Sequence, residues 1–109
     1  MNEEKTIFHF ITFAGSARSH CLEALDLASR NSFKEAKEKL NVARDYEKKA
    51  SELQQKLFTA ETIKSEKAMI MFIHAQDHLM SAITIRELTY HLLTCYEKFY
   101  QIQKNDILK

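Results

Sequence analysis

Residues 68–80 read AMIMFIHAQDHLM, and this stretch decides how the rest of the chain must pack. It opens with six consecutive apolar residues and then places His74, Asp77 and His78 within about two helical turns. Residues three and four apart are neighbours on a helix surface, so His74 is adjacent to both of the others. Because burying ionisable side chains without partners is costly, we interpret this patch as the candidate functional site.

The composition predicts an all-α chain. The sequence has no proline and one glycine in 109 residues, and good helix formers dominate it. The length predicts one domain, residues 1–109. Acidic and basic residues are interleaved and the net charge is +1, so we expect no nucleic-acid partner. No apolar run is long enough to span a bilayer and no signal peptide is recognisable, so we expect a cytoplasmic protein.

Apolar residues recur at three-to-four spacing in three predicted helices. These helices span about 3–30, 33–58 and 66–104. Asn31 suits the left-handed position that follows a helix, and Ser32 with Glu35 forms a capping box that opens the second helix. Thr62 or Ser65 can cap the third helix. Because the first connection is so short, we predict an antiparallel three-helix bundle.

The first half of the third helix is apolar around most of its circumference. A helix of this kind should be buried on all sides, and two partner helices cannot cover it. We therefore predict self-association, most simply cyclic, around helix three. Each residue turns the direction of the side chain by roughly 100° around the helix axis, so residues that point the same way form a stripe. Asp77 lies on one such stripe, and His74 points about 60° away from it. The stripe comprises Ile70, Ile73, Asp77, Thr84, Leu88 and His91.

Several other residues have structural interpretations. Gly15 lies in the middle of helix one, where glycine costs about 1 kcal/mol relative to alanine. We favour a close helix–helix crossing over a hinge as its explanation. Cys21 and Cys95 follow helical spacing on apolar faces, so we interpret them as structural free thiols. The remaining histidines are interpreted as core residues with satisfied hydrogen bonds: His9, His20 and His91.

Three chemistries are compatible with the patch. Histidines at i and i+4 occur in the zinc motif H-E-x-x-H, but here Ala75 replaces the glutamate and no third ligand is evident. A structural role in a helical adaptor is the second possibility. The third is phosphoryl transfer through histidine, because neutral imidazole is a nucleophile near physiological pH. No nucleotide-binding loop is present, so the donor would be another phosphoprotein.

The residues of this patch resemble those of a known family, the lactose/cellobiose-type enzyme IIA of the bacterial sugar phosphotransferase system. The stretch 74–80 is similar to its H-[AG]-Q-D-H-L-M signature, and 13–19 is similar to its A-G-x-A-R-S stretch. The resemblance covers about residues 3–101. It implies a homotrimer of three-helix bundles and a phosphocarrier for uptake of a disaccharide of lactose, cellobiose or chitobiose type, without identifying the sugar.

The resemblance also implies roles for individual residues. His74 would accept phosphate on Nε2 from the phosphocarrier HPr and pass it to a cysteine of enzyme IIB, which acts with the membrane enzyme IIC. Gln76 and His78 would support the site by hydrogen bonding, while Arg18 would contact phosphate or form an ion pair. Asp77 from three subunits would meet on the threefold axis and bind one Mg²⁺ per trimer.

One stretch of helix two departs from the family pattern A-H-x-x-Q-T. Matching that pattern to residues 49–54 puts Ala50 and Leu53 in place of its histidine and glutamine. Both residues continue the apolar stripe of helix two, so the substitutions are compatible with the fold. Their effect on the rate of phosphoryl transfer and on the choice of partner protein is left open. A non-catalytic helical scaffold or regulatory protein on the same trimeric fold is therefore the alternative function.

Overall fold

The computed structural model describes residues 3–59 and 63–108, with side chains over 3–58 and 63–106. Three helices follow one another along the chain, and over these residues there is no strand, which confirms the all-α prediction. They are α1 (Glu3–Ser29), α2 (Phe33–Thr59) and α3 (Glu66–Leu108). The third helix continues beyond its predicted end at about residue 104. None of the three, over the described positions, has an apolar stretch sufficient to cross a bilayer.

The turn between α1 and α2 is closed by backbone hydrogen bonds. Ser32 N–H donates to the Leu27 carbonyl at 2.9 Å and Asn31 N–H to the Ala28 carbonyl at 3.0 Å. Asn31 has φ 64°, the predicted left-handed conformation, so this is a Schellman ending. Because Ser32 N–H is already engaged, the Glu35 carboxylate cannot bind it. The Ser32 hydroxyl accepts no hydrogen bond from Glu35 N–H in the described structure, so neither side-chain bond of the predicted capping box forms.

A serine caps the start of α3. The Ser65 hydroxyl accepts a hydrogen bond from Ala68 N–H at 3.0 Å, and the Ser65 carbonyl accepts one from Met69 N–H at 3.0 Å. These bonds satisfy donors that every helix start leaves without an intrahelical partner. The alternative cap, Thr62, lies outside the described residues.

The bundle is built on α1, against which both other helices pack. One core cluster includes Phe10, Phe72 and Leu79, and the other includes Cys21 and Leu93. Ten of the eighteen buried hydrophobic residues are alanines, so the helices approach closely around a core of small side chains. Larger apolar side chains on α3 are left outside this core, which positions them for other contacts.

A half-buried ion pair joins α2 to α3. Arg86 donates to the two carboxylate oxygens of Glu47 at 2.6 Å and 3.1 Å. These hydrogen bonds raise the pKa of the Arg86 guanidinium. The neighbouring Cys21 thiol is fully buried, and burial, with a smaller contribution from the Glu47 charge, raises its pKa to about 11.

The interpretation of Gly15 as a close helix crossing is wrong. Beyond its own helical turn, a Cβ atom added at Gly15 would meet no atom within 4 Å. The close approach is made instead by its neighbours Ala14 and Ala17, which are fully buried. Gly15 therefore carries the conformational cost of glycine without a packing contact within this chain.

Candidate functional site

The predicted contact between His74 and His78 is present. Their Nε2 atoms lie 3.0 Å apart, and their ring centroids are 4.5 Å apart with the planes at 86°. His74 is exposed and His78 is half-buried. One Nε2 must donate a proton and the other must accept it, and between uncharged rings this contact requires opposite tautomers.

Two tautomer arrangements satisfy this hydrogen bond. When His78 donates, His74 Nε2 keeps the lone pair that a nucleophile requires, and that lone pair is already oriented. When His74 donates, its Nε2 is protonated and cannot attack. The contact of 3.0 Å requires one proton between the two Nε2 atoms, because two N–H groups or two lone pairs facing each other at that distance would repel.

Asp77 lies at the centre of an uncovered face of α3. It is exposed, and in the described structure its carboxylate makes no hydrogen bond and no ion pair with His74, although the sequence places the two residues on adjacent positions. Large apolar side chains surround it: Ile70 is 63% exposed, Met80 61% and Leu88 57%. The prediction that a three-helix bundle leaves this face of helix three uncovered is therefore confirmed.

No single chain assembles a metal site in this region. Across residues 3–59 and 63–108, no three His, Cys, Asp or Glu side chains come together to hold a metal ion. Asp77 supplies one carboxylate that has no partner among the described residues, and a carboxylate is a suitable oxygen donor for a hard cation such as Mg²⁺. A cation there would need further carboxylates from other copies of the chain.

The structure does not bring Gln76 to the histidine pair. Gln76 is half-buried and lines a recess of about 340 Å³ together with Phe58, Phe72 and Ile73. Residues two apart on a helix do not face each other, which explains the separation from His74. Arg18 is exposed and makes no ion pair with a described residue, so a phosphate contact remains a prediction.

The burial of helix two favours a different register for the family pattern. Ala50 is fully buried and Leu53 packs against the same cluster, so a polar pair at these positions would lie in the core. Moving the pattern one residue, to 50–55, matches its alanine to Ala50 and its glutamine to Gln54. Ser51 then replaces the histidine, and both Ser51 and Gln54 are half-buried. In this register the histidine and the final threonine of the pattern are missing, and Gln55 stands in place of the threonine.

The other histidines and cysteines divide between core and surface. His20 Nδ1 lies 2.7 Å from the Ser16 carbonyl and Cys21 is buried, which confirms structural roles for both. His9 and His91 are exposed, and so is Cys95. The interpretation of His9 and His91 as core histidines is wrong for this chain. Cys95 is a free thiol, as predicted, but it does not pack in the core. The apolar spacing does not show which faces α1 and α2 cover.

Comparison with known proteins agrees with a three-helix bundle that carries a histidine pair on its third helix. The family model described as "PTS system, Lactose/Cellobiose specific IIA subunit" matches residues 5–97. The chain belongs to this family. Enzyme IIA components of the phosphotransferase system are phosphotransferase proteins, so membership supports a transferase role for this IIA subunit.

Curated relatives and solved structures extend the match. This IIA subunit is 37% identical over 102 residues to the lichenan-specific phosphotransferase enzyme IIA component of Bacillus subtilis, covering 90% of this chain and 92% of that protein. The cellobiose-specific enzyme IIA from Bacillus anthracis matches at TM-score 0.82 and 34% identity, covering 93% and 94% of the chains. The Escherichia coli IIA(chitobiose) subunit, solved in complex with HPr, matches at TM-score 0.76 and 31% identity, covering 92% and 98%.

Proposed function

We propose that this IIA subunit is a cytoplasmic phosphocarrier that accepts a phosphoryl group from HPr on His74 and passes it to a cysteine of enzyme IIB. Enzyme IIB, with the membrane enzyme IIC, would serve uptake of a lactose-, cellobiose- or chitobiose-type disaccharide. The observation that supports this proposal most directly is the Nε2–Nε2 contact of 3.0 Å between His74 and His78 on an exposed face. The relative solved with HPr, from Escherichia coli, supports the choice of donor.

The proposed transfer uses the neutral histidine pair. With His78 as donor, the His74 Nε2 lone pair attacks phosphorus, a bond from Nε2 to phosphorus forms, and the bond from phosphorus to the donor protein breaks. The His78 N–H, released from that lone pair, is then free to donate to a phosphoryl oxygen. Such catalysis depends on positioning and electrostatic stabilisation rather than on further covalent chemistry.

The exposed face of α3 supports a homotrimer around that helix. Large exposed apolar side chains indicate an interaction surface, and Asp77 lies among them. A closed threefold arrangement would cover this surface in every copy. His74 lies about 60° from the direction of Asp77, so it would sit at the edge of the interface, where a partner protein can reach it.

Asp77 is the proposed ligand of one Mg²⁺ per trimer. Three carboxylates that converge in an apolar seam would repel one another and take up protons unless a cation offset their charge. Carboxylate and water oxygens in octahedral geometry suit Mg²⁺. The cation would supply charge neutralisation between subunits. We therefore expect Asp77→Ala, or a chelator, to weaken the trimer in sedimentation experiments without reducing the helix content of the monomer.

Phosphorylation by the complete relay tests the proposed function. The protein is incubated with phosphoenolpyruvate, enzyme I and HPr, and we expect an acid-labile, alkali-stable label on the wild type. His74→Ala should lose the label. The matched control His9→Ala, which alters an exposed histidine on α1, should keep it, and His78→Ala should label more slowly.

Two results would contradict the proposal. A label that persists in His74→Ala would place the phosphoacceptor elsewhere. A wild-type protein that takes up no label, although HPr itself is phosphorylated, would favour the alternative of a non-catalytic scaffold on this fold.

A further inference from the structure

His91 and Cys95 form a second pair of metal-ligating side chains on α3, away from the histidine pair. Both are exposed, and they are four residues apart, so they are neighbours on the helix surface. The proposed relay uses neither of them. Imidazole nitrogen and thiolate sulfur are the ligands that Zn²⁺ and related cations prefer in proteins.

This pair lies in line with Asp77 along the helix. Cys95 follows Asp77 by eighteen residues, which is five turns, so the two side chains leave a straight helix in the same direction about 27 Å apart. If the helices supercoil, the interface repeats every seven residues, and positions 77, 84 and 91 then share the seam. The straight helix points Cys95 in the direction of Asp77 and leaves His91 about 40° aside. The supercoil points His91 in that direction and leaves Cys95 about 50° aside.

The surroundings of the pair resemble an interface rather than a solvated surface. Leu88, Leu92 and Phe99 are 57%, 42% and 59% exposed, and they flank the pair on the same side of α3. If this face is covered, these side chains exclude water from the pair. The positive charge nearest in sequence is Lys98, which lies about 60° from the direction of Cys95, at the edge of the stripe.

We propose that His91 and Cys95 of three subunits form a second metal site, for a thiophilic divalent cation such as Zn²⁺, on the axis that the Asp77 residues define. The inference rests on the proposed trimer, because no single described chain supplies three ligands. Three Cys95 thiolates and one His91 imidazole give the Cys₃His donor set of structural zinc sites. Each ligating thiol releases its proton to solvent, and the histidine binds through a neutral ring nitrogen.

Cobalt(II) binding tests this site directly, because Co²⁺ bound by thiolates absorbs light and Mg²⁺ does not. Metal-free protein is titrated with Co²⁺, and we expect a thiolate-to-cobalt charge-transfer band that saturates at one ion per three chains and disappears when Zn²⁺ is added. Cys95→Ser should abolish the band and His91→Ala should weaken or shift it. The matched control Cys21→Ser, which alters the buried thiol, should leave the band intact.

Sedimentation of the same samples separates this proposal from the proposed assembly. A trimer that binds no Co²⁺ through sulfur would overturn the second site and leave the assembly standing. A monomer at all concentrations would overturn both. A band of unchanged intensity in Cys95→Ser would also refute the assignment, because the sulfur ligand would then be Cys21.

Discussion

The ion pair between Arg86 and Glu47 provides a quantitative test of how α2 is held to α3. Its side chains are 23% and 15% exposed, and the shorter of the two N–O distances is 2.6 Å. Arg86→Met keeps an aliphatic stem but leaves the Glu47 carboxylate half-buried without its partner. Hydrogen bonds to charged groups contribute about 1.5–3 kcal/mol, so we expect the free energy of unfolding to fall by about 2–3 kcal/mol.

The double variant Arg86→Met/Glu47→Leu distinguishes a lost attraction from an uncompensated charge. Because it removes both charges, we expect it to be within about 1 kcal/mol of the wild type. Lys37→Met is the matched control: it breaks the bridge to Glu97, which joins the same two helices but is 57% and 37% exposed. That control should cost less than about 1 kcal/mol.

Urea unfolding followed by circular dichroism measures these differences. All variants must be compared at one chain concentration, since assembly raises apparent stability by mass action. A double variant that loses as much stability as Arg86→Met would refute the reasoning, because desolvation of an unpaired carboxylate would then not be the cause. Equal losses in Arg86→Met and Lys37→Met would refute the assigned role of burial.

Three further changes can be measured in the same way. Gly15→Ala should raise the free energy of unfolding by about 0.5–1 kcal/mol, since the added methyl group meets open space; a loss would restore the close-crossing interpretation. Ser65→Ala removes the cap on α3 and should cost about 1 kcal/mol, whereas an unchanged midpoint would show that the cap contributes nothing. The folded state raises the pKa of Cys21 from 9.0 to about 11, so it holds the thiol proton more tightly than the unfolded state. The stability gained in this way is complete below pH 9 and is lost as pH rises to about 11. The advantage of the wild type over Cys21→Ala should therefore shrink by about 2–3 kcal/mol across that interval, and a constant difference would contradict the assignment.

The fold was largely predictable because the sequence signals agree with one another. The absence of proline and the three-to-four spacing both predict helices, and Asn31 marks the turn because few other residues adopt its left-handed conformation easily. Gly15 shows where such reasoning stops. Periodicity identifies the inward face of a helix, but it does not give the distance to the next helix, and here Ala14 and Ala17 make the close contacts.

The features of the candidate site that depend only on residue spacing along α3 were predictable from the sequence. The spacing of His74 and His78 fixes their contact whatever surrounds α3. The role of Gln76 came from family resemblance, and the geometry of the same helix places its side chain in a different recess. The register of the family pattern on helix two could not be decided from residue identities alone. It required the burial of Ala50, because a fully buried position does not suit the polar histidine of the pattern.

The direction of each side chain around α3 determines which chemistry it can perform. Asp77 and Cys95 point along one line and are exposed in a single chain, so covering that line would remove both from solvent at once. His74 points about 60° away and would stay at the margin, where a phosphoryl donor can approach. The relay needs access and the proposed cations need enclosure. One helix supplies both the accessible histidine and the enclosed cation ligands because these residues divide between the edge of the interface and its centre. Loss of the trimer should therefore abolish cation binding but not the His74–His78 contact, which needs one chain alone.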